Sequence, residues 1–173
     1  LINEWDELRK YWEEKLDQKF YEIAQTKYKQ CLQNYPNSPL LERTSMALGY
    51  SALEKADALG AIRIFNEHQE KNYAGSPTAM SNDLAKLGIG ASLAKLNRFT
   101  EASDVYDALE KNSPHREIRA EASYRKGDVF VQSKDFKKAV ELYKEAIKKY
   151  PENQTEYPNA FYNQAEALFG MGD

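Results

Sequence analysis

The chain has 173 residues, of which 42% are hydrophobic and 29% charged, a balance typical of one globular domain with a sizeable core. Its 24 basic and 27 acidic residues give a net charge of −3, and no stretch concentrates lysine and arginine in the way that a nucleic-acid-binding face requires. No apolar run is long enough to span a membrane, and a single cysteine excludes an internal disulfide.

Hydrophobic periodicity predicts an all-α chain without strands. The predicted helices cover residues 1–17, 20–34, 39–55, 58–72, 77–95, 99–111, 114–133, 136–149 and 158–171. The clearest of them is 136–149, in which apolar residues recur at steps of three and four and form one stripe on the helix. Lysines and acids alternate on the rest of this helix, which indicates a solvated face.

One spacing recurs along the chain and pairs these helices into hairpins. From Gly127, the offsets +3, +12, +16, +19 and +24 lead to Phe130, Ala139, Tyr143, Ala146 and Pro151. Similar patterns start at Trp12, Gly49 and Gly90, and a fifth begins at Ala165, so the starts are separated by 37, 41, 37 and 38 residues. A period of this size predicts a solenoid, in which each unit buries its apolar face against the next.

The small residues of the repeat have a packing role. Gly127 and Ala139 are predicted to lie where the two helices of a hairpin cross, because only a small side chain lets the backbones approach. Phe130 and Tyr143 would then fill the space beside the crossing.

This pattern resembles the tetratricopeptide repeat, with the closest match in the unit around Gly127 and the weakest in the one around Trp12. The resemblance implies a right-handed α-solenoid of antiparallel hairpins that spans residues 1–173 as a single domain. Its repeats would cover approximately residues 1–36, 37–75, 76–112 and 113–151, followed by half a repeat at 152–173. Members of this family bind other proteins.

Ser-Pro pairs punctuate the repeats at Ser38-Pro39, Ser76-Pro77 and Ser113-Pro114, and each is interpreted as a helix start. The string Tyr35-Pro36-Asn37-Ser38-Pro39 resembles the connections in bacterial cell-envelope members of the family. Those members include the repeat lipoprotein of the outer-membrane β-barrel assembly machine and the periplasmic protein associated with Tol-Pal. The resemblance implies a periplasmic or envelope location, with a cytoplasmic one as the alternative.

The first helices of successive hairpins should line the concave face of such a solenoid. The residues expected to face this groove lie beside the packing positions but are rotated outward: Arg43, Met46, Tyr50, Leu84, Leu87, Tyr124, Arg125, Asp128, Tyr162 and Asn163. This mixture of apolar, aromatic and charged side chains suits a peptide or helix laid into a groove. Alternatively, the tyrosines only pack against a neighbouring repeat.

The residues capable of chemistry do not form a recognisable constellation. Cys31 falls on the apolar stripe of its helix and His68 replaces a small residue between helices, so both are expected to be packed, His68 half-buried. No metal-ligand spacing appears, and neither does a set of acid, base and nucleophile. We therefore predict a non-catalytic scaffold or adaptor without metal or cofactor. An interaction domain of a larger cytosolic regulator or chaperone-associated protein is the alternative.

The last predicted helix stops where its hairpin should turn, and both ends of the sequence look cut. The apolar residues Ala165, Leu168 and Phe169 should therefore leave a surface that meets another copy of the chain or a further segment of protein.

Overall fold

A computed structural model describes residues 19–71 and 78–171, which belong to two compact units, one on each side of the gap. In the first unit, helix α1 is described over residues 19–34 and is followed by α2 (Leu41–Glu54) and α3 (Ala58–Glu70). The second unit contains α4 (Thr78–Lys95), α5 (Phe99–Asn112), α6 (Arg116–Gln132), α7 (Phe136–Lys149), a 3-10 helix (Pro151–Glu156) and α8 (Pro158–Met171).

The all-α prediction is confirmed, and the described residues contain no strand. Each helix predicted within those residues is found with ends that differ by two residues at most. The predicted helix at 1–17 lies outside the described residues. The 3-10 helix at Pro151–Glu156 was not predicted.

Consecutive helices pack as hairpins, as expected for a solenoid. In the first unit α2 packs against α3, and in the second unit α4 packs against α5 and α6 against α7. Among the first helices, α6 also packs directly against both α4 and α8. Within the second unit these three helices therefore form one continuous layer, with α5 and α7 packed onto it.

The turn inside each hairpin is built in the same way three times. Ala56, Asn97 and Lys134 have φ angles of 64°, 59° and 63°, in the left-handed region. The amide of the next residue bonds to the carbonyl five residues back, as in the 2.9 Å bond from Asp135 N to Phe130 O. This pattern satisfies the free carbonyls at a helix end and reverses the chain.

Aspartate begins two of the second helices. The Asp57 side chain accepts a bond from Gly60 N at 2.9 Å, and the Asp135 side chain accepts one from Lys138 N at 3.2 Å. In the α4–α5 hairpin the equivalent residue is Arg98, whose side chain makes no such cap and pairs with Glu101 instead. Side-chain caps of this kind stabilise a helix start by about 0.5–2 kcal/mol.

The predicted helix crossings are confirmed. A methyl group at Gly49, Gly90 or Gly127 would overlap the ring that lies 16 residues later in the chain, as on Gly127, which lies under Tyr143. The alanine four residues before each ring is fully buried: Ala61, Ala102 and Ala139. Glycine on one helix and alanine on the other bring the two backbones together and leave room for the aromatic ring.

The helix starts assigned to Ser38-Pro39 and Ser113-Pro114 are wrong by two residues, since helix α2 begins at Leu41 and α6 at Arg116. Ser76-Pro77 lies outside the described residues. Ser38 Oγ accepts a bond from Leu40 N at 3.2 Å, and Ser113 Oγ accepts one from His115 N at 3.2 Å. Each serine therefore closes a short turn before the helix, because its hydroxyl bonds an amide only two residues ahead.

The prediction that His68 is half-buried is also wrong. Its side chain is only 1% exposed on α3, and this burial lowers the pKa of the imidazole. Cys31 is partly buried, with its Sγ 3.8 Å from Thr44 Oγ1.

Candidate functional site

Three charged residues lie on one face of α6, spaced four and three residues apart. Arg125 Nη2 lies 3.3 Å from Glu121 Oε1, and Arg125 Nη1 lies 4.0 Å from Asp128 Oδ2. The guanidinium is exposed, whereas the two carboxylates are partly buried. The helix therefore presents Arg125 to solvent between two acids that limit its motion.

Asp128 joins three helices through its carboxylate. The Tyr143 hydroxyl on α7 donates to Asp128 Oδ1 at 2.6 Å, and Asn163 Nδ2 on α8 donates to the same oxygen at 2.7 Å. Burial, followed by the charge of Asp128, raises the pKa of Tyr143 far above its usual value, so its hydroxyl remains a donor. Asp128 is thus fixed in place by hydrogen bonds from α7 and α8.

Tyr162 lies on α8 next to Asn163 and is 72% exposed. We call the group formed by Glu121, Arg125, Asp128, Tyr162 and Asn163 the α6–α8 surface. It combines an exposed aromatic ring, an exposed guanidinium and a fixed carboxylate on two helices that pack directly against each other. On the neighbouring α4, Leu84 is partly buried.

Two residues predicted to line the groove belong to the core instead. Tyr124 is 2% exposed and Leu87 is 4% exposed. The Tyr124 hydroxyl donates to the carbonyl of Tyr150 at 3.2 Å, and its ring stacks on Tyr157 with centroids 4.8 Å apart. For Tyr124 the alternative interpretation is therefore correct, and this tyrosine packs against the connection to the next helix.

The remaining predicted site residues belong to the first unit. Arg43 and Tyr50 on α2 are exposed, and Met46 is partly buried. The Tyr50 ring lies edge-on to Phe65 with centroids 5.1 Å apart. Packing on α3 thus holds this tyrosine in place while part of its ring remains in solvent.

Sequence reasoning missed the part that Tyr143 takes in the site. The tyrosine was predicted only to fill space beside the crossing, yet its hydroxyl reaches Asp128. A signal was present, since the equivalent position carries tyrosine at Tyr106 and Tyr143 but phenylalanine at Phe65. A tyrosine at a buried position needs a hydrogen-bond partner, which its polar neighbours on the next helices can supply.

A second charged cluster lies between α5, α6 and α7. Lys126 Nζ lies 2.5 Å from Asp107 Oδ1 and 3.3 Å from Glu110 Oε2, and Lys149 Nζ lies 2.7 Å from Glu110 Oε1. These ion pairs connect neighbouring hairpins. They border a cleft of about 410 Å³ that is also lined by Ser123, Leu142, Glu145 and Lys148.

Within the described residues, no group of three or more His, Cys, Asp or Glu side chains is placed to hold a metal ion. None of the helices between residues 19 and 71 or between 78 and 171 combines the length and apolar character needed to cross a bilayer.

Comparison with known families supports the resemblance read from the repeat. Residues 87–154 match the tetratricopeptide repeat family, and this stretch runs from α4 to the 3-10 helix after α7. It includes Leu87, Tyr124, Arg125 and Asp128 of the predicted site. Tetratricopeptide repeats are generally modules for protein–protein interaction. Neither the curated proteins nor the solved structures gave a match to the chain.

Proposed function

We propose that the chain is a non-catalytic interaction module and that its α6–α8 surface binds a segment of a partner protein. The observation that carries this proposal is the fixed position of Asp128. Because Tyr143 and Asn163 both donate to its Oδ1, the carboxylate is held before any partner arrives. Preorganisation of this kind lowers the cost of ordering side chains on binding.

The exposed side chains supply the contacts. Arg125 offers guanidinium donors to a carboxylate or to backbone carbonyls of a peptide, and Tyr162 offers an aromatic ring that is 72% exposed. Arginine and tyrosine are among the residue types that contribute most binding energy at interfaces. A single arginine between two acids gives a mixed charge pattern, which favours a protein segment over a polyanion.

The proposed setting is the assembly of a bacterial cell envelope. Its support is the connection Tyr35-Pro36-Asn37-Ser38-Pro39, which resembles those of envelope members of the family. A cytosolic interaction domain within a larger regulator is the alternative setting. Fractionation of source cells, with an antibody against the chain, distinguishes the periplasm and envelope from the cytoplasm.

Selection from a library of random peptides tests the binding surface without a known partner. Peptides enriched on the wild-type chain are then measured against Arg125→Ala combined with Tyr162→Ala. We expect affinity to fall at least tenfold in the double variant, because the exposed cation and the exposed ring are both removed.

Lys137→Ala is the control, because Lys137 is exposed on α7 and lies outside the α6–α8 surface. It should bind the selected peptides as the wild type does. Equal binding by the double variant and the control would place the binding surface elsewhere on the chain.

A further inference from the structure

A cleft of about 410 Å³ lies between α5 and α7, with α6 packed against both helices. We call it the α5–α7 cleft, and it is lined by Glu110 of α5, by Ser123 and Lys126 of α6, and by Leu142, Glu145 and Lys148 of α7. Its volume is that of roughly 14 water molecules in the liquid and falls within the usual size range of ligand sites. None of these residues belongs to the α6–α8 surface, so the cleft is a second candidate site.

The first unit contains an equivalent cleft with different chemistry. This cleft, of about 200 Å³, is lined by Leu32 and Leu48 at the positions that Glu110 and Lys126 occupy in the second unit. The correspondence follows from the repeat. Leu48 and Lys126 each precede a repeat-start glycine by one residue, and Leu32 and Glu110 each follow a repeat start by 20 residues. In the α5–α7 cleft an ion pair therefore replaces two leucines.

The pair formed by Lys126 and Glu110 is largely shielded from solvent. Lys126 Nζ lies 3.3 Å from Glu110 Oε2, and each side chain is 14% exposed. Replacement of a buried ion pair by apolar residues is often neutral or stabilising, so stability alone does not explain the charges at these positions. The charges do suit a polar ligand.

Further ion pairs hold these charges in place. Lys126 Nζ also lies 2.5 Å from Asp107 Oδ1, and Lys149 Nζ lies 2.7 Å from Glu110 Oε1. Burial lowers the pKa of Lys126, but the bond to Asp107 and the charge of Glu110 outweigh it and raise this pKa above its usual value. Lys126 therefore stays a cation and acts as a hydrogen-bond donor, not as a base for catalysis.

Three other groups of the cleft are free to bind a ligand. Ser123 is 6% exposed, and its hydroxyl makes no hydrogen bond within residues 19–71 and 78–171. Lys148 and Glu145 are exposed on α7, and neither forms an ion pair with another described residue. A buried polar group without a partner is costly, and a ligand in the cleft would supply the partner that Ser123 lacks.

We propose that the α5–α7 cleft binds a small zwitterion, such as a free dipeptide. Ser123, Lys126 and Lys148 donate to its carboxylate, and Glu145 accepts from its ammonium group. Leu142 provides the apolar contact for a side chain of the ligand.

Charge complementarity favours this class of ligand over a simple anion or cation. A ligand with only negative groups would meet Glu110 and Glu145, and one with only positive groups would meet three lysines. A zwitterion finds an opposite charge in the cleft for each of its own charges.

A pool of free dipeptides that covers the natural amino acids tests the proposal on the ¹⁵N-labelled chain. We expect at least one dipeptide to give saturable amide shifts in α7 at residues 142–149 and none in α8, with a dissociation constant of about 1 mM or tighter. Its N-acetyl and C-amide forms each lack one charge and should bind at least tenfold more weakly. The proposal is wrong if no dipeptide gives saturable shifts in α7, or if the blocked forms bind as tightly as the free one.

A double variant tests the assigned contacts. Ser123→Ala with Glu145→Gln removes a bond to each charge of the ligand and should weaken binding at least tenfold. The matched control is Glu141→Gln, which alters an exposed glutamate one turn earlier on α7 that does not line the cleft. This control should bind the dipeptide as the wild type does.

A second double variant, Glu110→Leu with Lys126→Leu, gives the cleft the leucines of the first unit. It should lose dipeptide binding while its thermal midpoint is retained. Binding of wild-type strength in either double variant overturns the proposal. Arg125 and Tyr162 are unaltered in all these variants, so the outcome is independent of the test of the α6–α8 surface.

Discussion

Space at a single residue decides how closely the helices of a hairpin approach. Ala139 is fully buried where α7 crosses α6, and Gly127 on the facing helix lies under the Tyr143 ring. That ring has little freedom to move aside, because its hydroxyl is bonded to Asp128 at 2.6 Å. A larger side chain at Ala139 must therefore force α7 away from α6.

Ala139→Leu tests this packing, with Lys137→Leu as a control on the same helix. We expect Ala139→Leu to lower the free energy of unfolding by about 1–3 kcal/mol through overpacking. Lys137→Leu, at an exposed position, should remain within about 0.5 kcal/mol of the wild type. Urea midpoints provide the measurement, and equal midpoints for the two variants would show that the repeat phase is misplaced.

His68 makes the stability of the first unit depend on pH. Burial lowers its pKa below the usual 6.5 in the folded chain, so the unfolded chain binds a proton first as the solution is acidified. The stability that neutral His68 provides is full above pH 6.5 and is lost as the pH falls through the lowered value.

Hydrogen exchange of α3 amides at pH 7.5 and 5.5, corrected for the intrinsic pH dependence of exchange, measures this effect. In the wild type the protection of α3 should decrease at the lower pH. In His68→Leu the decrease should be much smaller, whereas His115→Leu, at the start of α6, should behave as the wild type. The same loss in His68→Leu and wild type would assign the pH dependence to other groups.

At the scale of the helices, the repeat spacing predicts where each helix begins and ends. It cannot show which residues pack against each face of a helix. Helix α7 was predicted with its observed ends because its apolar residues form one clear stripe at helical spacing. Tyr124 was wrongly predicted to face the groove, because Tyr150 and Tyr157 pack against it and bury it. Tyr157 lies in a connection outside the repeated pattern, so periodicity carried no information about it.

The positions of the hairpin turns were predicted from the sequence. The residues that adopt the left-handed conformation there were not, because none of them is glycine. Ala56 and Lys134 adopt positive φ angles that cost a residue with a side chain roughly 1 kcal/mol, whereas Asn97 tolerates this region better. Lys134→Gly and Ala56→Gly should therefore each stabilise the chain by about 0.5–1 kcal/mol.

Asn97→Gly is the matched control and should have an effect of only a few tenths of a kcal/mol. Thermal unfolding of the three variants provides the measurement. Destabilisation by Lys134→Gly would mean that the lysine side chain contributes more at this turn than the backbone strain removes.

At the scale of the whole molecule, charge predicts how binding responds to salt. The chain carries 24 basic and 27 acidic residues, and the α6–α8 surface contains both signs. Affinity for a selected peptide should therefore fall less than about tenfold between 50 and 200 mM salt, since six to ten phosphate contacts would lose about 10³–10⁵ over that range. Isothermal titration at the two salt concentrations measures the change, and a loss above a hundredfold would indicate a strongly charged ligand.

The repeat spacing in the sequence indicated the family and predicted that Arg125 and Tyr162 are exposed, because both inferences follow from position within a repeat. It could not predict the bonds that hold Asp128, since these depend on side chains from α7 and α8 meeting α6. A repeat pattern specifies which face of a helix turns inward. The contacts among three helices are determined by packing, which only the structure shows.

A hydrogen-exchange footprint of a selected peptide on the wild-type chain shows whether partners bind across α6 and α8. We expect the peptide to slow exchange in α6 around Glu121–Asp128 and in α8 around Tyr162–Asn163, and we expect Arg125→Ala with Tyr162→Ala to remove this protection. Protection confined to α5 and α7 would contradict this expectation and assign binding to the layer that α5 and α7 form on the first helices.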